Sequence, residues 1–199
     1  MIQSIAVFCG SALGTAQIYV EQAQSVGRCI AEQGTTLVYG GGRSGLMGVV
    51  ADSALQAGGK VIGVIPEALV DRELAHPNLS ELHIVQNMHQ RKTLMADLSE
   101  AFLAMPGGAG TLEEIFEQWT WAQLGIHQKA IGFLNVAGFY DDLLKFIALT
   151  TDQGFTQQRF NQALISAEHI EEILAAFNHY QAPMPKWGAN DQQGLIKPV

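Results

Sequence analysis

Two short stretches carry the residue types best suited to chemistry. Residues 106–114 read PGGAGTLEE and residues 87–92 read NMHQRK. In the first, Gly107, Gly108 and Gly110 follow an apolar run and lead into a helical one. Backbone N–H groups at such a helix start face whatever anion occupies the strand end. Thr111 adds a hydroxyl, and Glu113 and Glu114 add carboxylates in what reads as the first helical turn. Glu114 has two readings. It stands three residues after Thr111, the spacing of a capping box, and the helix dipole favours a carboxylate there. Equally, it supplies a general base or a charge stabiliser beside an anion site. In the second stretch Asn87 reads as an N-cap with Gln90 three residues on. Arg91 and Lys92 then stand where the dipole disfavours cations by ~0.3–1 kcal/mol. An anionic ligand, or the Glu113–Glu114 pair, would reverse that cost, and arginine suits bidentate contacts to phosphate or carboxylate.

A third stretch, residues 40–45 (GGGRSG), matches the GxGxxG pattern between a strand and a helix. It follows the second strand rather than the first, and no acidic residue ends the next strand, so dinucleotide binding is disfavoured. Phosphate binding through Gly41, Gly42, Gly45 and Gly107 remains one reading; a tight turn needing positive φ is the other. No GxxxxGK motif, HExxH pair or GxSxG elbow occurs, and the six histidines show no ligand spacing. No ATPase loop, metal site or triad hydrolase is therefore expected. No lysine stands in a recognisable Schiff-base setting, which disfavours pyridoxal chemistry.

The elements that must position these residues alternate between strand-like and helical runs. Strands are expected at 4–9, 35–39, 60–65, 81–85, 101–105, 130–135 and 163–166. Helices are expected at 19–33, 46–57, 88–98, 112–124, 140–151 and 169–177, with 67–80 a loop containing a helical turn. Near-continuous apolar strands between helices imply a parallel sheet covered on both faces. The fold class expected is α/β, a Rossmann-like doubly wound domain over 1–180 with a proline-containing extension over 181–199. Ligands on such sheets bind beyond the C-terminal strand ends, where the strand order switches. In 112–124, Ile115, Phe116, Trp119, Trp121 and Leu124 leave much of the helix apolar, for core or for a subunit interface.

Of 199 residues, 48% are hydrophobic and 15% charged, and the net charge is −8. That balance favours a folded core and argues against binding nucleic acid polymers or an anionic membrane. Cys9 and Cys29 form no CxxC pair, the N-terminus lacks a basic leader pattern, and no apolar run is of membrane-spanning length. A cytoplasmic protein is expected.

Taken together, GGGRSGLMG, MHQRK, PGGAGTLEE and TWAQLGIH, spread over residues 5–155, resemble the LOG ("lonely guy") family. That family consists of cytokinin riboside 5′-monophosphate phosphoribohydrolases long mislabelled as lysine decarboxylases. The resemblance implies a Rossmann-like homodimer acting on a nucleoside 5′-monophosphate with no metal or redox cofactor. It places the catalytic pair on Arg91 and Glu114. Substrate contacts fall on Glu73, Lys92, Gly108, Ala109, Gly110, Thr111, Leu112, Glu113, Glu114 and Thr120. Ala109 departs from the larger residue, often Tyr, that many relatives carry there, which bears on substrate preference. A broader nucleotide nucleosidase and a non-catalytic nucleotide or cofactor carrier are the alternative readings on the same fold.

Overall fold

The apolar runs pair into one sheet whose seven strands are all parallel, in the order β4-β3-β2-β1-β5-β6-β7. The structure, a computed structural model, describes residues 1–70 and 75–187. In chain order the strands are β1 (Ser4–Phe8), β2 (Thr36–Tyr39), β3 (Val61–Pro66), β4 (Glu81–Val85), β5 (Ala101–Ala104), β6 (Ala130–Leu134) and β7 (Leu164–Ala167). The helices are α1 (Gln17–Glu32), α2 (Gly45–Gln56), α3 (Met88–Asp97), α4 (Ala109–Leu124), α5 (Asp141–Asp152), α6 (Gln158–Gln162) and α7 (Ile170–Asn178).

Alternation along β1 explains the two layers. Ile5 and Val7 face a core built with α1, α2 and α7, while Ala6 and Phe8 face one built with α3, α4, α5 and α6. Both faces of the central strands are buried, so β1, β5 and β6 read as unbroken apolar runs. Strand order reverses between β1 and β5, which pair from Ile5↔Ala101 to Phe8↔Ala104. Beyond their C-terminal ends the chain turns to opposite faces, opening a crevice where the two loops part.

The expected elements form, with two main differences. The helical turn expected in the loop 67–80 is a 3₁₀ turn, Glu67–Leu69. The short helix α6 was not anticipated, because five residues are too few to display a helical period. Most consequentially, α4 starts at Ala109 rather than at 112. The chain's extension begins with its segment to Trp187 laid over the end of α4: Lys186 N donates to the Gln123 carbonyl at 2.7 Å, and Arg159 Nη2 to that of Pro185 at 3.1 Å. Residues 188–199 lie outside the described residues.

Candidate active site

The early start of α4 changes the meaning of its carboxylates. Gly108 is the N-cap, in an extended conformation, and no acidic residue stands in the first turn. Thr111 is therefore the third helical residue and cannot serve as the N-cap of a capping box. Glu113 and Glu114 belong to the second turn, past the reach of the orphan N–H groups. The capping reading of Glu114 falls away. What the first turn presents instead is Gly108, Ala109 and Gly110, all exposed, with buried Thr111 behind them. A Cβ on Gly107 would collide with the Thr111 side chain, so glycine there lets the turn fold tightly onto it.

That helix start opens into a cleft of about 300 Å³ at the strand-order switch. Gly108, Ala109, Gly110, Thr111 and Glu114 form one wall, Cys9, Gly10 and Ser11 of the β1 loop a second, and Met47, Leu69, Met88 and Arg91 the rest. Arg91 is buried, and its Nη2 donates to the Gly40 carbonyl at 3.0 Å. A Cβ on Gly40 would strike that guanidinium. The N-cap expected for α3 forms, with Asn87 Oδ1 accepting from Gln90 N at 3.0 Å. Arg91 thus leaves the positive end of its helix for the carbonyl end of β2, which removes the dipole conflict. Charges from both Arg91 and Glu114 are felt at the Cys9 thiol. Burial, then Glu114, raise its pKa far above the ordinary range against a smaller opposing effect of Arg91. Cys9 is accordingly an inert wall, not a nucleophile.

Lys92 points elsewhere. Its Nζ lies 2.5 Å from Glu113 Oε1 and 3.0 Å from Glu117 Oε1, and the side chain is 6% exposed. Burial alone would lower the ammonium's pKa, but hydrogen bonds from the two glutamates outweigh it and hold the pKa raised. Lys92 and Glu113 tie α3 to α4 and do not line the cleft. Nor do Leu112, which packs from α4 against the core, and Thr120, whose hydroxyl donates to the Phe116 carbonyl at 2.8 Å. Glu73 lies outside the described residues.

The glycine turn at residues 40–45 packs against neighbouring loops. Gly41 and Gly42 are buried; the Gly41 carbonyl accepts from His76 N at 2.9 Å, and Gly42 bridges to Ala75. Gly45, at φ 58°, is covered by the Ser11 and Ala12 backbone, and Leu46 N donates to the Gly10 carbonyl at 3.0 Å. None of the three lines the cleft. Gly107 borders an adjoining hollow instead. The cleft-lining part that sequence reasoning missed is Gly10-Ser11. Its signal was present: a Gly-Ser turn ending the most apolar early strand, at the position where a parallel sheet switches order.

The family described as "Possible lysine decarboxylase" matches residues 47–177. The cytokinin riboside 5′-monophosphate phosphoribohydrolase LOG of Oryza sativa subsp. japonica is 46% identical over 176 residues, 88% of this chain and 73% of that protein. The cytokinin riboside 5′-monophosphate phosphoribohydrolase of Rhodococcoides fascians is 46% identical over 175 residues, 87% of this chain and 88% of its own length. Among solved structures, the Moco carrier protein from Chlamydomonas reinhardtii superposes with a TM-score of 0.68 at 22% identity, covering 90% of this chain and 97% of that one. This last likeness concerns the fold alone. A pyridoxal-dependent decarboxylase would need a lysine at the cleft. Among the described residues none lines it, and Lys92 is held by two carboxylates, so the family's descriptive name does not fit the site. Identity at this level, over nearly nine-tenths of the chain, makes the protein a member of the LOG family.

Proposed function

We propose that the protein hydrolyses the N-glycosidic bond of N6-substituted adenosine 5′-monophosphates, releasing the free base and ribose 5-phosphate. The observation that carries this reading is the convergence of Arg91, Glu114 and the start of α4 on one cleft. The relatives named as phosphoribohydrolases support it. Open N–H groups at residues 108–111 suit the 5′-phosphate. As the bond from C1′ to the base breaks, its electron pair leaves with the base and positive charge builds on the ribose. Glu114 stabilises that cation and takes a proton from the water that attacks C1′, while the departing base takes up a proton from solvent and Glu114 releases its own there. Arg91 is assigned no proton transfer. Its part is electrostatic, held in place through the Gly40 carbonyl.

The reading extends to a cytoplasmic homodimer. Phe116 and Trp121 of α4 are only partly buried and Ile84 of β4 is 58% exposed, an apolar surface suited to a second copy. Cys9 and Cys29 are both free thiols, in keeping with a reducing compartment. Light scattering of the purified protein tests the dimer.

Incubation with AMP and with N6-isopentenyl-AMP, following free base by chromatography, tests the reaction. Wild type releases base. Glu114→Gln and Arg91→Ala lose ~10²–10⁴ in turnover while remaining folded. Full activity in Glu114→Gln would refute its role. Binding of a monophosphate without release would favour a carrier, for which a carboxylate at the ribose has no use.

A further inference from the structure

A buried imidazole that the cleft does not use sits one bond away from the backbone that holds Arg91. His76 lies in the connection from β3 to β4 and is only 5% exposed. Its Nδ1 accepts from Asn78 N at 3.2 Å, so the ring proton sits on Nε2, which donates to Asp52 Oδ1 at 3.0 Å. Asp52 stands on α2 with its side chain 58% exposed. On its own, such a pair merely holds a loop to a helix. Its setting gives it a second part.

The main chain of His76 reaches the end of β2. Its N–H donates to the Gly41 carbonyl at 2.9 Å, and Ala75 bridges to Gly42. The preceding carbonyl, that of Gly40, accepts from Arg91 Nη2 at 3.0 Å. Adjacent carbonyls therefore serve His76 and Arg91. Gly41, at φ 75°, is packed directly on β3, where a Cβ would lie 3.2 Å from that of Ile65. Tyr39, the residue before Gly40, is buried. Burial first, then Cys9 and Asp52, raise its hydroxyl's pKa against an opposing effect of Arg91, so Asp52 and Arg91 both act on one buried group. The same connection carries Leu69 to the cleft wall, and Ala75 N donates to the Val70 carbonyl at 2.9 Å.

We infer that Asp52 and His76 are positioning residues for Arg91. The ring bond to Asp52 fixes His76, the His76 N–H fixes the Gly40–Gly41 peptide, and that peptide holds the guanidinium at the cleft. The inference rests on the proposed part of Arg91 in the reaction and adds what keeps that side chain in place. Neither Asp52 nor His76 lines the cleft. Without Asp52 the buried Nε2–H loses its acceptor, and the ring must turn toward water to find another. Residues 75 and 76 then pull away from the glycine turn. A displaced guanidinium stabilises the transition state less while substrate binds as before, so the loss falls on kcat.

Kinetics in two backgrounds test the tie. Asp52→Ala lowers kcat for the monophosphate about tenfold, with KM within about threefold. Asp52→Asn keeps an oxygen acceptor for the Nε2–H and holds kcat within about twofold of wild type. In an Arg91→Ala background, where the guanidinium is gone, Asp52→Ala changes the residual kcat by less than about twofold, while Tm falls equally in both backgrounds. The same kinetic loss in both backgrounds overturns the inference. So does Asp52→Asn behaving as Asp52→Ala, which would make the charge rather than the bond the cause. A raised KM with kcat unchanged also overturns it, by placing the effect at Leu69. The guanidinium N–H signals of Arg91 in a nitrogen–proton correlation spectrum test the tie without turnover. They are resolved in wild type and Asp52→Asn and broadened by exchange in Asp52→Ala. If wild type hydrolyses no monophosphate the reaction is refuted, and unchanged Arg91 signals in Asp52→Ala overturn the positioning separately.

Discussion

Replacing Lys92 by Met separates a strut from a substrate ligand. The side chain is buried and grips Glu113 and Glu117, one turn apart on α4. Glu113 is 55% exposed and regains water when the ammonium is lost, so its bond contributes little, ~0.2–1 kcal/mol. Glu117 is 23% exposed, and its Oε2 is buried without a hydrogen-bond partner. Losing Lys92 strands a partly buried carboxylate and leaves two like charges four residues apart. That is a cost of about 2 kcal/mol, below the range for fully buried pairs. For a chain of this size it lowers Tm by roughly 5 °C. The pH dependence has a fixed sign. Because the folded pKa of Lys92 is raised, its stabilisation is complete below the unfolded lysine value and is lost as pH rises through the folded one.

The kinetic consequence follows from what Lys92 adjoins. Arg91 is its chain neighbour on α3 and Glu114 is the neighbour of Glu113 on α4. Loosening the strut lets the two cleft walls drift, and a displacement near 1 Å costs on the order of 10²-fold in kcat. KM for the monophosphate stays within about threefold, since the α4 start is intact. Lys92→Arg, which can still bridge both carboxylates, restores most of kcat. Lys92→Met combined with Glu113→Gln and Glu117→Gln is no worse than Lys92→Met alone. Steady-state kinetics and thermal melts of these variants decide the matter. A KM raised tenfold or more in Lys92→Met with Tm unchanged would refute the strut and return Lys92 to the phosphate.

Three further outcomes follow from the same geometry. Gly40→Ala forces the Arg91 guanidinium off its carbonyl, so kcat drops ~10²-fold while circular dichroism stays native. Tyr140→Phe leaves the buried Met105 carbonyl without its 2.6 Å donor and costs ~1–3 kcal/mol in urea unfolding. Burial, and next the charge of Lys129, lower the His127 pKa from its ordinary 6.5 to about 4. Between those values the unfolded chain binds a proton that the folded ring refuses, so the stabilisation is complete above 6.5 and is lost as pH falls toward 4. The loss is ~1–2 kcal/mol after allowing for partial exposure, and Tm against pH should flatten across that window in His127→Gln.

What could be read from the chain and what could not divide along one physical line. Strand and helix positions, the parallel sheet and the α3 N-cap follow from local periodicity and short-range bonding, and they form as expected. The PGGAG turn was identified correctly as a helix start, but its helix was placed three residues late. Gly108, Ala109 and Gly110 show no apolar period, and the sequence pattern offered Thr111 as a more conventional cap than glycine. That displacement alone made Glu114 look like a capping residue.

The turn at residues 40–45 packs differently for a non-local reason. GGGRSG and PGGAGT carry the same local signature, glycines between a buried strand and a helix. They differ in what packs against them. At α2 the β1 loop and residues 75–76 cover the turn, with His76 N donating to the Gly41 carbonyl, and the Gly45 backbone is walled in by Ser11 and Ala12. At α4 the first-turn residues stay exposed. Adjacency in the sheet decides the difference: α2 follows β2, inside a run of strands added in one direction, whereas α4 follows β5 across the reversal. A glycine turn therefore opens onto a cleft only where the loops of the neighbouring strands turn away from it, and in this chain that happens beside β1 and β5.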